Sequence, residues 1–208
     1  MVSSVAVLPL IPPPRVDQDQ FVVLHDVSWR TYRAVRELFD SPGIRMTYFE
    51  GTLEIMSPSS RHEGVKTKIA RFVELHALER DVPLFGFGST TLRAELKERG
   101  LEPDECYALG RVLRDGDVPD IAIEVVITSG GVNKLEIYRS LGVREVWYWY
   151  EGAFQLYVLG PSGYAPSPTS TLVPGLDFSE LAALVEDDDQ PAALKRYRDA
   201  LRARAAQT

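Results

Sequence analysis

The stretch DIAIEVVI, residues 120–127, constrains the fold of this chain more than any other. It has the length and the β-branched content of a strand buried in a sheet. With the two-residue period of a strand, Ile121, Ile123, Val125 and Ile127 share one face, and Asp120, Ala122, Glu124 and Val126 share the other. An unpaired carboxylate in such a strand is costly, so the fold must bring partners to it. Asp120 and Glu124 are about 13 Å apart along the strand, too far to ligate one ion together. A second ligand has to come from a neighbouring strand.

The preceding block, LEPDECYALG at residues 101–110, supplies that strand, and Asp115-Gly116 between the two marks a turn. A hairpin centred on that dipeptide sets Glu124 near Tyr107. A longer or bulged connection, shifted by about three residues, sets Asp104 opposite Glu124. The reading adopted is that Asp104 and Glu124 form a metal-holding pair, with Asp120 the weaker candidate toward the turn. Beyond the strand the chain leaves through Ser129-Gly130-Gly131 and returns as a helix from about Val132 to Leu141, which brings Lys134 to the same strand end as Glu124. Two carboxylates and a lysine at one strand end suit metal-assisted hydrolysis of a phosphodiester. The acids hold Mg²⁺ (or Mn²⁺) through hard oxygens, and the lysine orients or helps deprotonate water and stabilises the developing charge. Each residue alone also has an ordinary reading, Asp104 as a turn former and Lys134 as a solvated helix cation.

The remaining chain reads as a mixed α/β sheet with helices packed on it. Residues 1–20, with Pro12, Pro13 and Pro14, read as an extended tail; 21–185 as one domain; 186–208 as an acidic linker and a basic helix. Ser28 caps a helix to Phe39 that Pro42-Gly43 ends, and MTYFEGTLEIM makes a hairpin about Glu50-Gly51. A second helix opens at Ser57–Ser60 and runs to about Arg80, with Val65, Ile69, Phe72, Val73 and His76 on one stripe. His62 extends that stripe, and Glu63 lies one helical step round from it. LFGFGSTTLR, REVWYWY and FQLYVL complete the strands. The alternating Trp147, Tyr148, Trp149 and Tyr150 suit a core or a subunit contact, or the stacking of bases. Strands 144–150 and 154–159 are expected at a sheet margin, where a second copy of the chain would pair with them.

The 208 residues carry 23 Lys and Arg against 30 Asp and Glu, a formal charge of −7. That argues against a surface built throughout for nucleic acid, though residues 195–204 hold five basic side chains to one acidic. The single cysteine, Cys106, excludes an internal disulfide and reads as inert packing. His76 reads as a core histidine. No targeting signal and no membrane span stand out, so a cytoplasmic protein is expected.

Asp104 after Pro103, followed by Glu124 in a hydrophobic strand, resembles the PD-(D/E)XK nuclease core. Position 126, where that core carries its lysine, is Val126 here. EGTLEIMSPSSRHE, GSTTLR, LEPDECYAL and PDIAIEVVITSGGVNKLEIYRSLGVREVWYW, in this order, resemble the Uma-type (Uma-two) restriction endonuclease family over about residues 20–185. The resemblance implies a restriction-endonuclease-like fold, a mixed central sheet flanked by helices with an N-terminal helix and hairpin. It also implies Mg²⁺, DNA cleavage, and a lysine displaced to the following helix, where Lys134 stands. Nucleases of this fold often add an acid from the first core helix, which makes Glu63 and His62 further catalytic candidates. Glu50 and Glu54 read as surface residues, with Glu50 at the turn bordering the cleft. A catalytically silent nucleic-acid-binding or regulatory module, and a structural interaction domain whose carboxylates cap turns, are the alternatives.

Overall fold

The structure is a computed structural model that describes residues 17–39, 41, 43–88, 90–94, 98–114, 116–128 and 132–207. Pro12–Pro14, Pro42, Asp115 of the expected turn and the Ser129–Gly131 exit lie outside the described residues. In chain order the elements are β1 (Gln20–Leu24), α1 (Trp29–Leu38), β2 (Arg45–Phe49), β3 (Thr52–Ser57), α2 (Ser60–Glu79), β4 (Leu84–Gly86), β5 (Leu92–Ala94), β6 (Arg99–Leu101), β7 (Glu105–Leu109), β8 (Ile121–Val126), α3 (Lys134–Leu141), β9 (Glu145–Tyr150), β10 (Ala153–Gly160), β11 (Gly163–Ser167), α4 (Phe178–Val185) and α5 (Gln190–Ala205).

These strands make two sheets, ordered β1-β3-β2-β6-β5 and β11-β10-β9-β8-β7-β4. Every pairing is antiparallel except β8 with β9, which α3 connects as a crossover. The fold is therefore mixed α/β and consistent with a restriction-endonuclease-like architecture. The expected hairpin is present as β2–β3, and it belongs to the five-stranded sheet together with β1, β5 and β6. The LFGFGSTTLR segment does not run as one strand. Its start pairs with β7 and its end with β6, so it passes from one sheet to the other.

The local signals read from the sequence act as expected. Ser28 Oγ accepts a hydrogen bond from Thr31 N, and Ser59 Oγ accepts one from His62 N, at the starts of α1 and α2. Ile69, Phe72 and Val73 of α2 pack on Ile121, Ile123 and Val125 of β8, with Trp147, Trp149 and α4 and α5 completing that side. Trp147 meets Phe178 edge to face at 5.0 Å, so both tryptophans are core residues and are not base-stacking surfaces. The opposite face of β8 and β9, through Ala122 and Val146, packs on Ile137 and Tyr138 of α3 and on Leu92 and Leu101 of the other sheet. His76 bonds Tyr197 Oη at 2.9 Å and the Pro174 carbonyl at 3.1 Å, as a core histidine does. Cys106 is fully buried, and burial pushes its thiol up to about 12, so it is inert at neutral pH.

One expectation is overturned. β9 and β10 are interior strands, and β11 covers the edge at which a second copy was expected to pair. The sequence also gave no sign of Glu145. It is fully buried, and its carboxylate accepts bonds from Trp147 Nε1 (2.9 Å), Ser170 Oγ (2.7 Å), and Thr171 N and Oγ1 (both 2.7 Å). It ties the start of β9 to the segment leading into α4. Glu145→Ala leaves these buried donors without an acceptor, and we expect the unfolding free energy to fall by about 3 kcal/mol, read from urea denaturation.

Candidate functional site

β7 and β8 pair with Glu105 opposite Ile123, Cys106 opposite Ala122 and Tyr107 opposite Ile121. Continued by one residue, this register sets Asp104 opposite Glu124, the shifted pairing expected from the sequence. The alignment is held by Asp104 N donating to the Ile123 carbonyl (3.2 Å) and by Val125 N donating to Asp104 Oδ2 (2.8 Å). Both carboxylates are about 1% exposed.

Three cations reach this pair from three elements. Lys134, the first residue of α3, places Nζ 2.5 Å from Glu124 Oε2. Tyr138, one turn later on the same face of the helix, donates its hydroxyl to Glu124 Oε1. His62, in the first turn of α2, sets Nε2 3.0 Å from Asp104 Oδ1. Its other ring nitrogen lies 3.1 Å from Asp19 Oδ2, and Asp19 Oδ1 accepts from Ser59 N at 2.8 Å. Arg45 of β2 brings Nε to 4.0 Å from Asp104 Oδ1.

These contacts shape the ionisation of the group. Burial alone lowers the pKa of His62, but the hydrogen bonds and charges of Asp104 and Asp19 outweigh it and raise the value to about 9. Asp104 is pushed up by burial and pulled further down by His62, so it titrates below the usual carboxylate range. Glu124 is raised, by burial and by the neighbouring Asp104 charge, against the pull of Lys134. Burial would lower Lys134, yet Glu124 and Asp104 hold it above the ordinary lysine range, so it keeps its proton at neutral pH.

The other candidates fall elsewhere. Asp120 sits at the far end of β8, where it accepts from Leu109 N (2.9 Å) and pairs with Arg111 and Arg144. Glu63 is 40% exposed, pairs with Lys66 at 2.6 Å, and meets Arg45 at 3.5 Å, so it connects to Asp104 only through that arginine. Glu50 pairs with Arg99 at the turn and does not border the cleft. Glu54 does. It is 3% exposed, its charge acts on Lys134, and it lines a cavity of about 190 Å³ together with Phe21, Glu124, Lys134 and Tyr148. Sequence reasoning missed Asp19, Glu54 and Tyr138. Only Tyr138 had a local signal, its position four residues after Lys134.

Among the described residues no three His, Cys, Asp or Glu side chains form a group that could hold a metal ion. The donor set is thus two carboxylates. Buried Asp104 Oδ1 lies close to His62 Nε2 but takes no well-aligned hydrogen bond. Of the pair, Glu124 lines the small cavity; hard oxygens of this kind suit a cation such as Mg²⁺, which keeps several waters and takes further oxygens from a phosphate.

His62 also predicts a pH dependence of stability. Its folded pKa lies above its unfolded value of about 6.5, so its contribution is full below that value and is lost as pH rises through about 9. In the presence of a chelator, we expect the unfolding free energy to decline over that interval. His62→Gln should flatten the decline; identical slopes in both proteins would remove the ion pair as its cause.

Among the described residues no helix is long and apolar enough to cross a membrane. No curated protein matches the chain. A family model described as "Uma2: Putative restriction endonuclease" matches residues 29–187, which include Glu54, His62, Asp104, Glu124, Lys134 and Tyr138. The chain belongs to the Uma2 family of restriction-endonuclease-like proteins.

Proposed function

We propose that this protein is a metal-dependent endonuclease that hydrolyses phosphodiester bonds of DNA. The observation that carries the reading is the meeting of Asp104 and Glu124 across neighbouring strands, with Lys134 at 2.5 Å from Glu124 beside a cavity. Family membership supports nuclease chemistry. The carboxylate pair and the lysine supply the parts that phosphodiester hydrolysis needs.

A hard divalent cation, Mg²⁺ or Mn²⁺, held by Asp104 and Glu124, would supply the positive charge that neutralises the phosphodiester and favours departure of the leaving oxygen. Asp104 is oriented by His62 and by Val125 N, and Asp19 fixes the imidazole from its other side. Glu124 is oriented by Lys134 and Tyr138. Lys134 serves as a fixed cation that orients water and stabilises charge on the phosphoryl oxygens. Its raised pKa disfavours the part of general base. Glu54, across the cavity, is the further acid that nucleases of this kind draw from outside the strand pair, in place of Glu63. Cutting both strands of a duplex would require two copies of the chain.

Asp104→Asn and Lys134→Ala are expected to lower metal-dependent cleavage of DNA at least about 100-fold while circular dichroism stays unchanged. Calorimetric titration with Mn²⁺ should lose its binding signal in Asp104→Asn and keep it in Asp120→Asn. Undiminished cleavage by both site variants would sink the assignment. DNA binding without cutting by the unchanged chain would identify a silent module of the same fold.

A further inference from the structure

A second hollow, of about 560 Å³, meets the catalytic cavity at the end of β8, where Val126 and Thr128 line both. Its volume lies in the range, about 300–1,000 Å³, of pockets that hold small molecules. Its other walls come from the first turn of α2 at Arg61, the end of β9 at Tyr150, the turn that follows at Glu151, and Glu186 after α4. None of these residues belongs to the Asp104–Glu124–Lys134 cluster.

Two features of the hollow bear on what it could hold. Arg61 is exposed and has no ion-pair or hydrogen-bond partner among the described residues. The arginines of α5, the most basic segment of the sequence, are instead occupied, Arg196 by Asp187, Arg198 by Asp199, Arg202 by Glu79 and Arg204 by Glu180. Tyr150 is 39% exposed, whereas Trp147 and Trp149 of the same strand are buried.

Among the residues that line the hollow, Arg61 attracts a phosphate, while Glu151 and Glu186 repel one. An occupant that uses both Arg61 and Tyr150 carries an anionic group and a flat, uncharged one. A nucleotide unit has that form, with a phosphate at one end and a stacking base at the other. We infer that this hollow seats the nucleotide next to the scissile phosphodiester, its base on the ring of Tyr150 and its phosphate against Arg61. The inference rests on the nuclease reading and extends it. It places the substrate strand along the end of β8, from the Glu124–Lys134 cavity toward the β9–β10 turn.

The test measures binding and turnover separately, with a fluorescently labelled DNA oligonucleotide as the probe. Anisotropy in Ca²⁺ gives affinity, and cleavage in Mg²⁺ gives kcat and KM. Arg61→Gln and Tyr150→Leu should each raise Kd and KM roughly tenfold and leave kcat within about twofold, because they remove contacts present before the chemical step. Tyr150→Phe should retain the affinity, since it keeps the ring, and Arg198→Gln on α5 should behave as the unchanged chain. Affinity and KM unaltered in both Arg61→Gln and Tyr150→Leu, in a protein that still cuts DNA, would overturn the inference and leave the nuclease reading standing. An unchanged chain that neither binds nor cuts the oligonucleotide would overturn both.

Discussion

Two carboxylates at facing positions of adjacent strands, each almost without solvent contact, set the terms for the rest of this structure. In a medium of reduced dielectric such a pair repels itself strongly, and each charge also loses its hydration. The arrangement persists because cations from different elements converge on it: Arg45 from β2, His62 from α2 and Lys134 from α3. The same contacts fasten the hairpin sheet and both flanking helices to the central sheet. Electrostatic compensation and tertiary assembly are thus one requirement here.

What the sequence revealed divides along the same line. Elements whose cause is local were legible. Ser28 and Ser59 each sit where a helix needs an acceptor, Glu50-Gly51 turns a hairpin, and α2 carries its apolar stripe at helical spacing. The Asp104–Glu124 register was legible for a different reason. Charge in an apolar strand demanded a partner, and few pairings could supply one. The compensating acids were not legible. Asp19 lies in what reads as a tail, yet it is buried against His62 and Ser59. Glu54 is one of two glutamates on one hairpin, and the sequence favoured the wrong one. Strand alternation alone does not say which face meets the other sheet.

The net charge of −7 shows how little a sum says about a surface. The basic run of α5 reads as a phosphate contact only while it is considered alone. In the fold Arg202 and Arg204 pair with Glu79 of α2 and Glu180 of α4, so two of its five cations hold helices together. Exposed ion pairs of this kind contribute little each. Their effect on recognition is larger, because a guanidinium already facing a carboxylate offers little to a phosphate. Among the described residues Arg61, by the hollow at the end of β8, faces no such carboxylate partner.

The displaced lysine follows from the same physics. Val126, on the face of β8 that Glu124 occupies, lines the cavity where a strand lysine would start. The cation comes instead from the first turn of α3. That location is unfavourable for a positive charge, because the helix dipole already places a partial positive charge there. Burial adds a second penalty. Glu124 and Asp104 overcome both, as the raised pKa of Lys134 records. Tyr138, one turn further along, binds the other oxygen of Glu124 and restricts its rotation. A strand lysine two residues from its acid would bring no such companion. Placing the cation on a helix therefore exchanges electrostatic ease for a carboxylate held at both oxygens, an orientation that the proposed role of Glu124 would use.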